Sequence, residues 1–347
     1  MTGYDEFFLW RVVVGTLASV AFVIYQLRRP TGPEHPRLVS GMAASLAVVP
    51  LGWAAITFGV GYGGATYGLA MFAALPFLIG TLTVMIYSIH RPLESVGASM
   101  RLGLMSILAL GFALLVTATE GLICLAMAAP LAFPLAAFCG ALGYQLSLSL
   151  RRRAATSTMM LLLFLPAGFV SVEKRFQGEP ELFPVSTSID VAVPPGRAWA
   201  AILAPSKLER PAGLAFRVGI AYPRGSWIDG SGPGAIRHCD FSTGHLIEPV
   251  LEWRENELLR FTVVQNPEPM VEWNPFAEIH PPHLKNFLVS RQGQFKLTPI
   301  PGGTRIEATT WYQHGLYPAE YWRWWSDSII HQIHHVVLDH VRQTTQL

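Results

Sequence analysis

The sequence has few charged residues and few cysteines. Asp, Glu, Lys and Arg make up 14% of the 347 residues, whereas soluble domains average about 25%. The net charge is +2 and no basic stripe is interleaved with aromatic residues, so we predict no nucleic-acid partner. The 3 cysteines show no CxxC spacing, and no HExxH motif occurs. These absences argue against a disulfide framework, a zinc ribbon and a zinc-protease site.

The shortage of charge is confined to the first half of the chain, where long apolar runs follow one another. A helix needs about 20 apolar residues to cross the hydrocarbon core of a bilayer. We therefore predict that residues 1–172 form an all-α transmembrane bundle of about six spans. The predicted spans are Phe7–Leu27, Leu38–Val60, Tyr67–Ile89, Leu102–Thr119, Leu122–Leu148 and Ala155–Val172.

Basic residues lie in alternate connections between these spans. Connections rich in Lys and Arg stay on the cytoplasmic side. Six spans then place both the N-terminus and the second half of the chain outside the cytoplasm, in a protein of the cell membrane. If the sixth span does not cross, the second half is cytoplasmic. The basic residues are Arg28, Arg29, Arg37, Arg91, Arg101, Arg151, Arg152 and Arg153.

The second half has ordinary charge density and predicts a separate α+β domain over residues 185–347, after a linker at residues 173–184. A strand at Thr187–Val193 precedes two short helices, at Arg197–Leu203 and Ser206–Pro211. One long helix, Pro318–Gln343, closes the chain. The strands predicted between them are Phe216–Tyr222, Ala235–Ser242, His245–Trp253, Leu258–Gln265, Leu288–Thr298 and Thr304–Gln313.

This order of elements resembles the START-like superfamily, also called SRPBCC, which includes polyketide cyclase-type and lipid-transfer domains. The resemblance is carried by the opening strand and helix from Ser188 to Trp199, by the hairpin from Pro301 to Ile306, and by the long closing helix. It implies a helix-grip fold, in which a curved antiparallel sheet wraps around the C-terminal helix and leaves a cavity between them.

The sequence is also similar to a bacterial group of membrane-anchored SRPBCC proteins. The segments that carry this narrower resemblance are Cys239–Gly244, His280–Leu284 and Trp325–Asp327, followed by His331 and His334. The superfamily contains binders, carriers and enzymes, so the fold does not by itself specify an activity.

Aromatic and polar residues of the second half are candidates for contact with a ligand in such a cavity. Large apolar pockets with a few polar groups are the usual ligand sites, although each aromatic side chain is equally compatible with a filled core. The candidate ligand-binding residues are Trp227, Phe261, His280, His283, Arg291, Trp311, Tyr312 and Trp325. Arg237 could also neutralise an anionic ligand, and Asp240, Glu248 and Glu272 are acidic candidates, unless these side chains face solvent.

Histidine is concentrated in the second half, which holds nine of the 11 histidines. Asp327, His331 and His334 are spaced i, i+4 and i+7, which places them on one helix face. Asp327 and His331 could act as an oriented catalytic base. His280, His283, His331 and His334 are candidate zinc or iron ligands, although no cofactor is firmly indicated. The alternative is a polar, solvated helix face.

Three functions fit this sequence. The first is a multi-pass membrane protein whose START-like domain binds a hydrophobic or lipid-like small molecule at the membrane surface. The second is a cyclase- or dehydratase-type or metal-dependent enzyme that uses the His/Asp cluster. The third is a structural or sensory membrane subunit that docks a partner protein. The predicted partners of the first are the lipid bilayer and the small molecule itself.

Overall fold

A computed structural model gives the structure of the chain. It describes residues 48, 68–150, 157–159, 161–162, 165–176, 181–204, 206–276, 278–281, 284–285 and 288–346. The chain divides into two compact units. Unit 1 comprises Met1–Gln177 and Asn274–Ile279, and unit 2 comprises Gly178–Trp273 and His280–Leu347. The division after Gln177 lies inside the predicted linker, whereas the assignment of Asn274–Ile279 to unit 1 was not anticipated from the sequence.

Unit 1 is helical where it is described. A π-helical turn, Ala70–Ala74, leads into α1. The helices are α1 Leu75–His90, α2 Val96–Val116, α3 Leu122–Ser149 and α4 Leu165–Phe176.

Three helical stretches among the described residues are long and apolar enough to cross a membrane, where six were predicted for the whole chain. They are Ala70–Ile89, Val96–Val116 and Leu122–Ser149, and they overlap the third, fourth and fifth predicted spans. The first two predicted spans lie outside the described residues, apart from Val48, and the sixth is described only in part. Arg101, which was predicted to lie in a connection, is inside α2 because that helix already begins at Val96.

Small residues let α2 and α3 approach each other closely. A Cβ atom added to Gly103 would lie 2.4 Å from the carbonyl oxygen of Ala136, and one added to Gly140 would lie 2.5 Å from that of Ser99. Contact between backbones is characteristic of packed membrane helices, where apolar side chains gain nothing by leaving lipid. Ser95 begins α2 by accepting a hydrogen bond from the amide of Ala98 at 3.2 Å.

Unit 2 contains a curled, antiparallel sheet of eight strands in the order β1-β8-β7-β6-β5-β4-β3-β2. Short helices α5 and α6 follow β1 and β2, and the long helix α7 closes the chain. The strands are β1 Phe183–Val191, β2 Ser206–Lys207, β3 Pro223–Asp229, β4 Ile236–Phe241, β5 Gly244–Arg254, β6 Leu258–Thr262, β7 Leu288–Ile300 and β8 Gly303–His314. The helices are α5 Pro195–Leu203, α6 Leu214–Val218 and α7 Ala319–Gln346.

Helix α7 packs along the sheet through one face. In β1 the inward side chains alternate with exposed ones, as expected for a strand with one buried face. The buried residues of α7 recur every three or four positions, which is the spacing of a single helix face. They are Trp322, Ser326, Ile330, His334, Leu338, Val341 and Thr345. This arrangement of sheet and closing helix confirms the predicted helix-grip architecture.

The shortest elements of unit 2 differ from the prediction. The expected helix at Ser206–Pro211 begins instead with strand β2, and the expected strand at Phe216–Tyr222 is replaced by α6 and the turn after it. Gly219 ends α6 with a φ of 133°, a backbone conformation that glycine adopts without strain. The strand missing from the prediction is β3, at Pro223–Asp229. In segments this short, periodicity is too weak to distinguish helix from strand.

Candidate functional site

A cavity of about 160 Å³ lies between the sheet and α7 in unit 2. Strands β4 to β8, the start of the insertion after β6, and α7 all contribute to its wall. The side chains that line it are mainly apolar, as in most small-molecule sites. Apolar lining residues include Phe241, Leu246, Phe261, Val263, Leu288, Phe295, Ala308, Ile329, Ile330, Ile333 and Val337.

A buried ion pair lies in the sheet wall of this cavity. Arg237 on β4 stands directly opposite Glu248 on β5, and its guanidinium donates a hydrogen bond to the Glu248 carboxylate. Each residue is 5% exposed. The guanidinium carbon lies 5.1 Å from the centre of the Phe261 ring and 5.5 Å from that of Phe295, so the cation is also in contact with two aromatic rings.

Burial sets the protonation of the groups around this pair. Burial raises the pKa of Glu248, and the adjacent Arg237 guanidinium opposes that rise. Burial also raises the pKa of the nearby Cys239 thiol to about 12, although Arg237 acts in the opposite direction. Cys239 is therefore an inert, protonated thiol at neutral pH. The pair offers the cavity both hydrogen-bond donors and acceptors.

His334 contributes a polar group to the opposite wall, on α7. The residue is 7% exposed. Its Nε2 lies 2.8 Å from the hydroxyl oxygen of Thr310, and its Nδ1 lies 3.0 Å from that of Thr187. Burial lowers the pKa of His334 to about 4, and the neighbouring His331 and His335 add to this effect. His334 is therefore neutral at physiological pH.

The structure brings His331 and His334 together but does not pair Asp327 with His331. Nδ1 of His331 lies 2.7 Å from the Thr187 hydroxyl oxygen, which also contacts His334. Asp327 instead accepts hydrogen bonds from the Tyr312 hydroxyl at 2.6 Å and from Nε of Arg323 at 3.4 Å. Asp327 and His331 share a helix face but bond to other groups, because β1 and β8 supply competing hydroxyl groups.

Of the predicted ligand contacts, Phe261 lines the cavity. Trp227 stacks instead on His238, with ring centres 4.9 Å apart. Arg291 is exposed and donates to the side-chain oxygen of Gln313.

Three further aromatic candidates are absent from the cavity lining. Tyr312 is fully buried in a separate cluster with Phe183, and its hydroxyl bonds to Asp327. Trp325 is half-buried and packs edge-on against Trp324, with ring centres 4.8 Å apart. Trp311 is half-buried on β8.

The candidate metal ligands are not gathered into one group where the structure describes them. His280 is exposed and hydrogen-bonded to the Glu268 carboxylate at 2.9 Å, and His283 lies outside the described residues. Within the described part of the chain, no group of three or more His, Cys, Asp or Glu side chains is arranged to hold a metal ion.

The two threonines that bond to His334 were not predicted from the sequence. Arg237 and Glu248 were identified as candidates, but which way they face was left open. The alternation of β4 and β5 could have shown that both face inward, since Arg237 shares its strand face with Cys239, and Glu248 shares its face with Leu246 and Val250. Thr187 and Thr310 carry no such signal, because threonine is common on both faces of strands.

No protein family matches the chain, and no curated protein matches it. Among solved structures, protein MLL2253 from Mesorhizobium loti is 16% identical and covers 46% of this chain and 95% of its own, with a TM-score of 0.30. A norcoclaurine synthase point mutant from Thalictrum flavum is 12% identical and covers 49% and 98%, with a TM-score of 0.31. The Aha1 dimer from Colwellia psychrerythraea is 12% identical and covers 48% and 97%, with a TM-score of 0.29.

Proposed function

We propose that unit 2 binds a small, mostly apolar molecule that carries one uncharged polar group, and that unit 1 anchors this binding module in a membrane. The observation that supports this proposal is the cavity between the sheet and α7, whose apolar wall contains the Arg237–Glu248 pair. Membership of the SRPBCC superfamily, and of its membrane-anchored bacterial group, is part of the same proposal.

The volume of the cavity limits the size of the ligand. An engineered cavity of about 150 Å³ holds one benzene molecule, whereas sites for drug-sized ligands span about 300–1,000 Å³. At about 160 Å³, the cavity suits a molecule with one ring, or one end of a longer chain, rather than a whole lipid. We therefore propose a smaller hydrophobic compound in place of the lipid-like ligand predicted from the sequence.

The ion pair favours a neutral polar group. A buried charge is costly unless it is paired, and Glu248 already satisfies Arg237. An anionic ligand approaching the guanidinium would also meet the Glu248 carboxylate, whereas a hydroxyl or carbonyl group can bond to the pair without adding charge. This replaces the sequence-based expectation that Arg237 neutralises a ligand carboxylate or phosphate.

Membrane anchoring explains the division into a helical unit and a sheet domain. Three described helices are long and apolar enough to cross a bilayer, and a hydrophobic ligand is most concentrated in and next to lipid. With cationic connections on the cytoplasmic side, unit 2 lies outside the cytoplasm.

Binding of benzyl alcohol, benzene and benzoate to the full chain in lipid nanodiscs tests the ligand class. We expect benzyl alcohol to raise the thermal unfolding midpoint of unit 2 saturably, because a ligand that binds the native state stabilises it. Benzoate should raise it least, since its charge meets the Glu248 carboxylate. A largest effect for benzoate would contradict the neutral-ligand proposal.

Two tryptophan variants on adjacent positions of α7 control for unspecific partition into lipid. Ile333 lines the cavity, whereas Gln332 does not. Ile333→Trp should fill the cavity and abolish the stabilisation, and Gln332→Trp should retain it. Equal stabilisation of both variants by benzyl alcohol would show that the probe acts elsewhere.

A further inference from the structure

Four side chains of unit 2 form a continuous hydrogen-bonded row from the cavity to the protein surface. Thr310 and His334 line the cavity, and His331 is an exposed residue of α7. The oxygen–nitrogen distances along the row are 2.8 Å from Thr310 to His334, 3.0 Å from His334 to Thr187, and 2.7 Å from Thr187 to His331. All three lie in the range of true hydrogen bonds.

The Thr187 hydroxyl couples the two imidazoles. A threonine hydroxyl has one hydrogen to donate, and a neutral imidazole has one N–H group and one acceptor nitrogen. Nδ1 of His331 and Nδ1 of His334 both contact this hydroxyl oxygen. When one Nδ1 accepts the Thr187 hydrogen, the other must donate its own N–H to Thr187.

The row therefore has two arrangements that differ only in where the hydrogens lie. In the outward arrangement, Thr310 donates to Nε2 of His334, Nδ1–H of His334 donates to Thr187, and Thr187 donates to His331. In the inward arrangement, each of these hydrogen bonds runs in the opposite direction. Neither arrangement breaks a contact of the fold, so the row can pass between them without rearrangement of α7 or the sheet.

The groups around His334 keep it in the neutral form that this exchange requires. Strands β1 and β8 present hydroxyl groups to it, from Thr187 and Thr310. The titratable groups around it are His331 and His335 on its own helix, which disfavour its protonation, and Arg237, Glu248 and Glu268, which line the same cavity. A neutral imidazole can accept a proton at one nitrogen while it releases one from the other.

We propose that this row is a proton path through which a ligand with an ionisable hydroxyl, such as a phenol or an enol, exchanges its proton with solvent. The path rests on the proposed ligand-binding function and extends it to acid–base exchange in the cavity. It also assigns a role to His331 and His334 that needs neither Asp327 nor a metal ion.

The ligand hydroxyl gives its proton to Thr310 as Thr310 passes its own hydrogen to Nε2 of His334. His334 releases the hydrogen on Nδ1 to Thr187, and Thr187 passes its hydrogen to Nδ1 of His331. His331 becomes an imidazolium and releases the proton on Nε2 to water. One proton has moved from ligand to solvent, and the ligand is left in the cavity as an anion. Because the Glu248 carboxylate disfavours that charge, a proton returns along the same row and restores the first arrangement.

The first test needs no ligand. In the full chain, nitrogen NMR of labelled histidine should show that protonation of His331 moves the hydrogen of His334 from Nδ1 to Nε2. Thr187→Val removes the hydroxyl and keeps the shape of the side chain, so it should abolish this coupling, whereas Thr187→Ser should retain it. Coupling that survives in Thr187→Val would overturn the path, and so would its absence in the unchanged protein.

The second test uses para-nitrophenol, whose visible absorption reports its ionisation, as the probe in the cavity. Temperature-jump relaxation of the bound probe should be at least about tenfold slower in Thr187→Val than in the unchanged protein, because a positioned proton-transfer group is worth about 10²–10⁴ in rate. Affinity should change little, since Thr187 is not among the lining residues. Thr187→Ser should relax at the original rate.

Ser186→Ala is the matched control, because Ser186 bonds to Thr309 at 2.8 Å and lies outside the row. If Thr187→Val does not fold, His331→Ala replaces it, and the exposed position keeps the fold intact. The path would be refuted if the bound probe relaxed at the same rate in Ser186→Ala as in Thr187→Val, or as in His331→Ala where that variant replaces it. Absence of saturable probe binding to the unchanged protein would instead contradict the proposed binding function for this ligand class.

Discussion

Polar side chains of unit 2 are buried in the wall of the cavity. Arg237 and Glu248 share one wall of the cavity, and His334 contributes to another. Burying such groups is costly unless each finds a partner. The Arg237–Glu248 pair and the two threonines around His334 supply those partners, which is why the cavity can hold polar groups inside an apolar wall.

The buried imidazole of His334 makes the stability of unit 2 depend on pH. Its pKa in the folded chain is about 4, against about 6.5 for an unperturbed histidine. The unfolded chain therefore binds the extra proton between these values, and the stabilisation present above pH 6.5 is lost as the pH falls towards 4. The loss amounts to about 3 kcal/mol.

His334→Gln should flatten this dependence, because glutamine keeps a donor and an acceptor without titrating. We expect the thermal unfolding midpoint of the unchanged protein to fall more steeply than that of His334→Gln between about pH 6.5 and 4. His340→Gln, on the same helix, is the control and should behave like the unchanged protein. Parallel pH profiles for the unchanged protein and His334→Gln would show that His334 does not titrate as its burial requires.

At the level of elements, local sequence pattern was informative wherever an element is long. The ends of α3, of β4 to β8 and of α7 lie within three residues of prediction, whereas α1 begins eight residues after its predicted start and α2 begins six residues before its own. Strand β2 and helix α6 were not predicted, because an element of 2 or 5 residues takes its conformation from the strand or turn beside it rather than from its own periodicity.

The contact between α2 and α3 depends on residues without side chains. Gly103→Ala should lower the thermal stability of the full chain by about 1–3 kcal/mol, the usual cost of overpacking, because the new Cβ would lie 2.4 Å from the carbonyl oxygen of Ala136. Gly111→Ala is the matched control on the same helix, since nothing lies within 4 Å of the Cβ position there. Thermal unfolding in one detergent compares the two variants, and a smaller loss for Gly103→Ala than for Gly111→Ala would disprove the close contact.

At the scale of the whole molecule, a helical unit and a sheet domain are joined in one chain, and the positions of basic residues predict their sidedness. The proposal places unit 2 outside the cytoplasm and the connection between α1 and α2 inside. With this proposed topology, the apolar helices would lie in lipid and the charged sheet domain in water.

Cysteine labelling in intact cells tests this topology. In a Cys124→Ala background, where Cys139 and Cys239 are buried, Glu255→Cys in the turn between β5 and β6 should react with a membrane-impermeant maleimide. Glu94→Cys, between α1 and α2, should react only after the cells are permeabilised. Reaction of both cysteines only after permeabilisation would place unit 2 in the cytoplasm, as expected if the sixth predicted span does not cross. The reverse pattern would invert the whole predicted topology.

Features that depend only on residues near one another in the chain followed from the sequence alone. Apolar length predicted the helices of unit 1, alternation predicted most strands, and helical spacing predicted one buried face on α7. These patterns are local, so they can be read without knowledge of what packs against them.

The pairing of polar groups, by contrast, depends on the folded chain. Thr187 lies 144 and 147 residues before the two histidines that it joins, and the register of β4 with β5 set Arg237 against Glu248. The i, i+4 spacing suggested an Asp327–His331 pair, but hydroxyl groups from β1 and β8 bond to these two residues instead. Hydrogen-bond partners depend on distance in the folded chain. Spacing along one helix shows which residues share a face, but not which groups of other elements lie against that face.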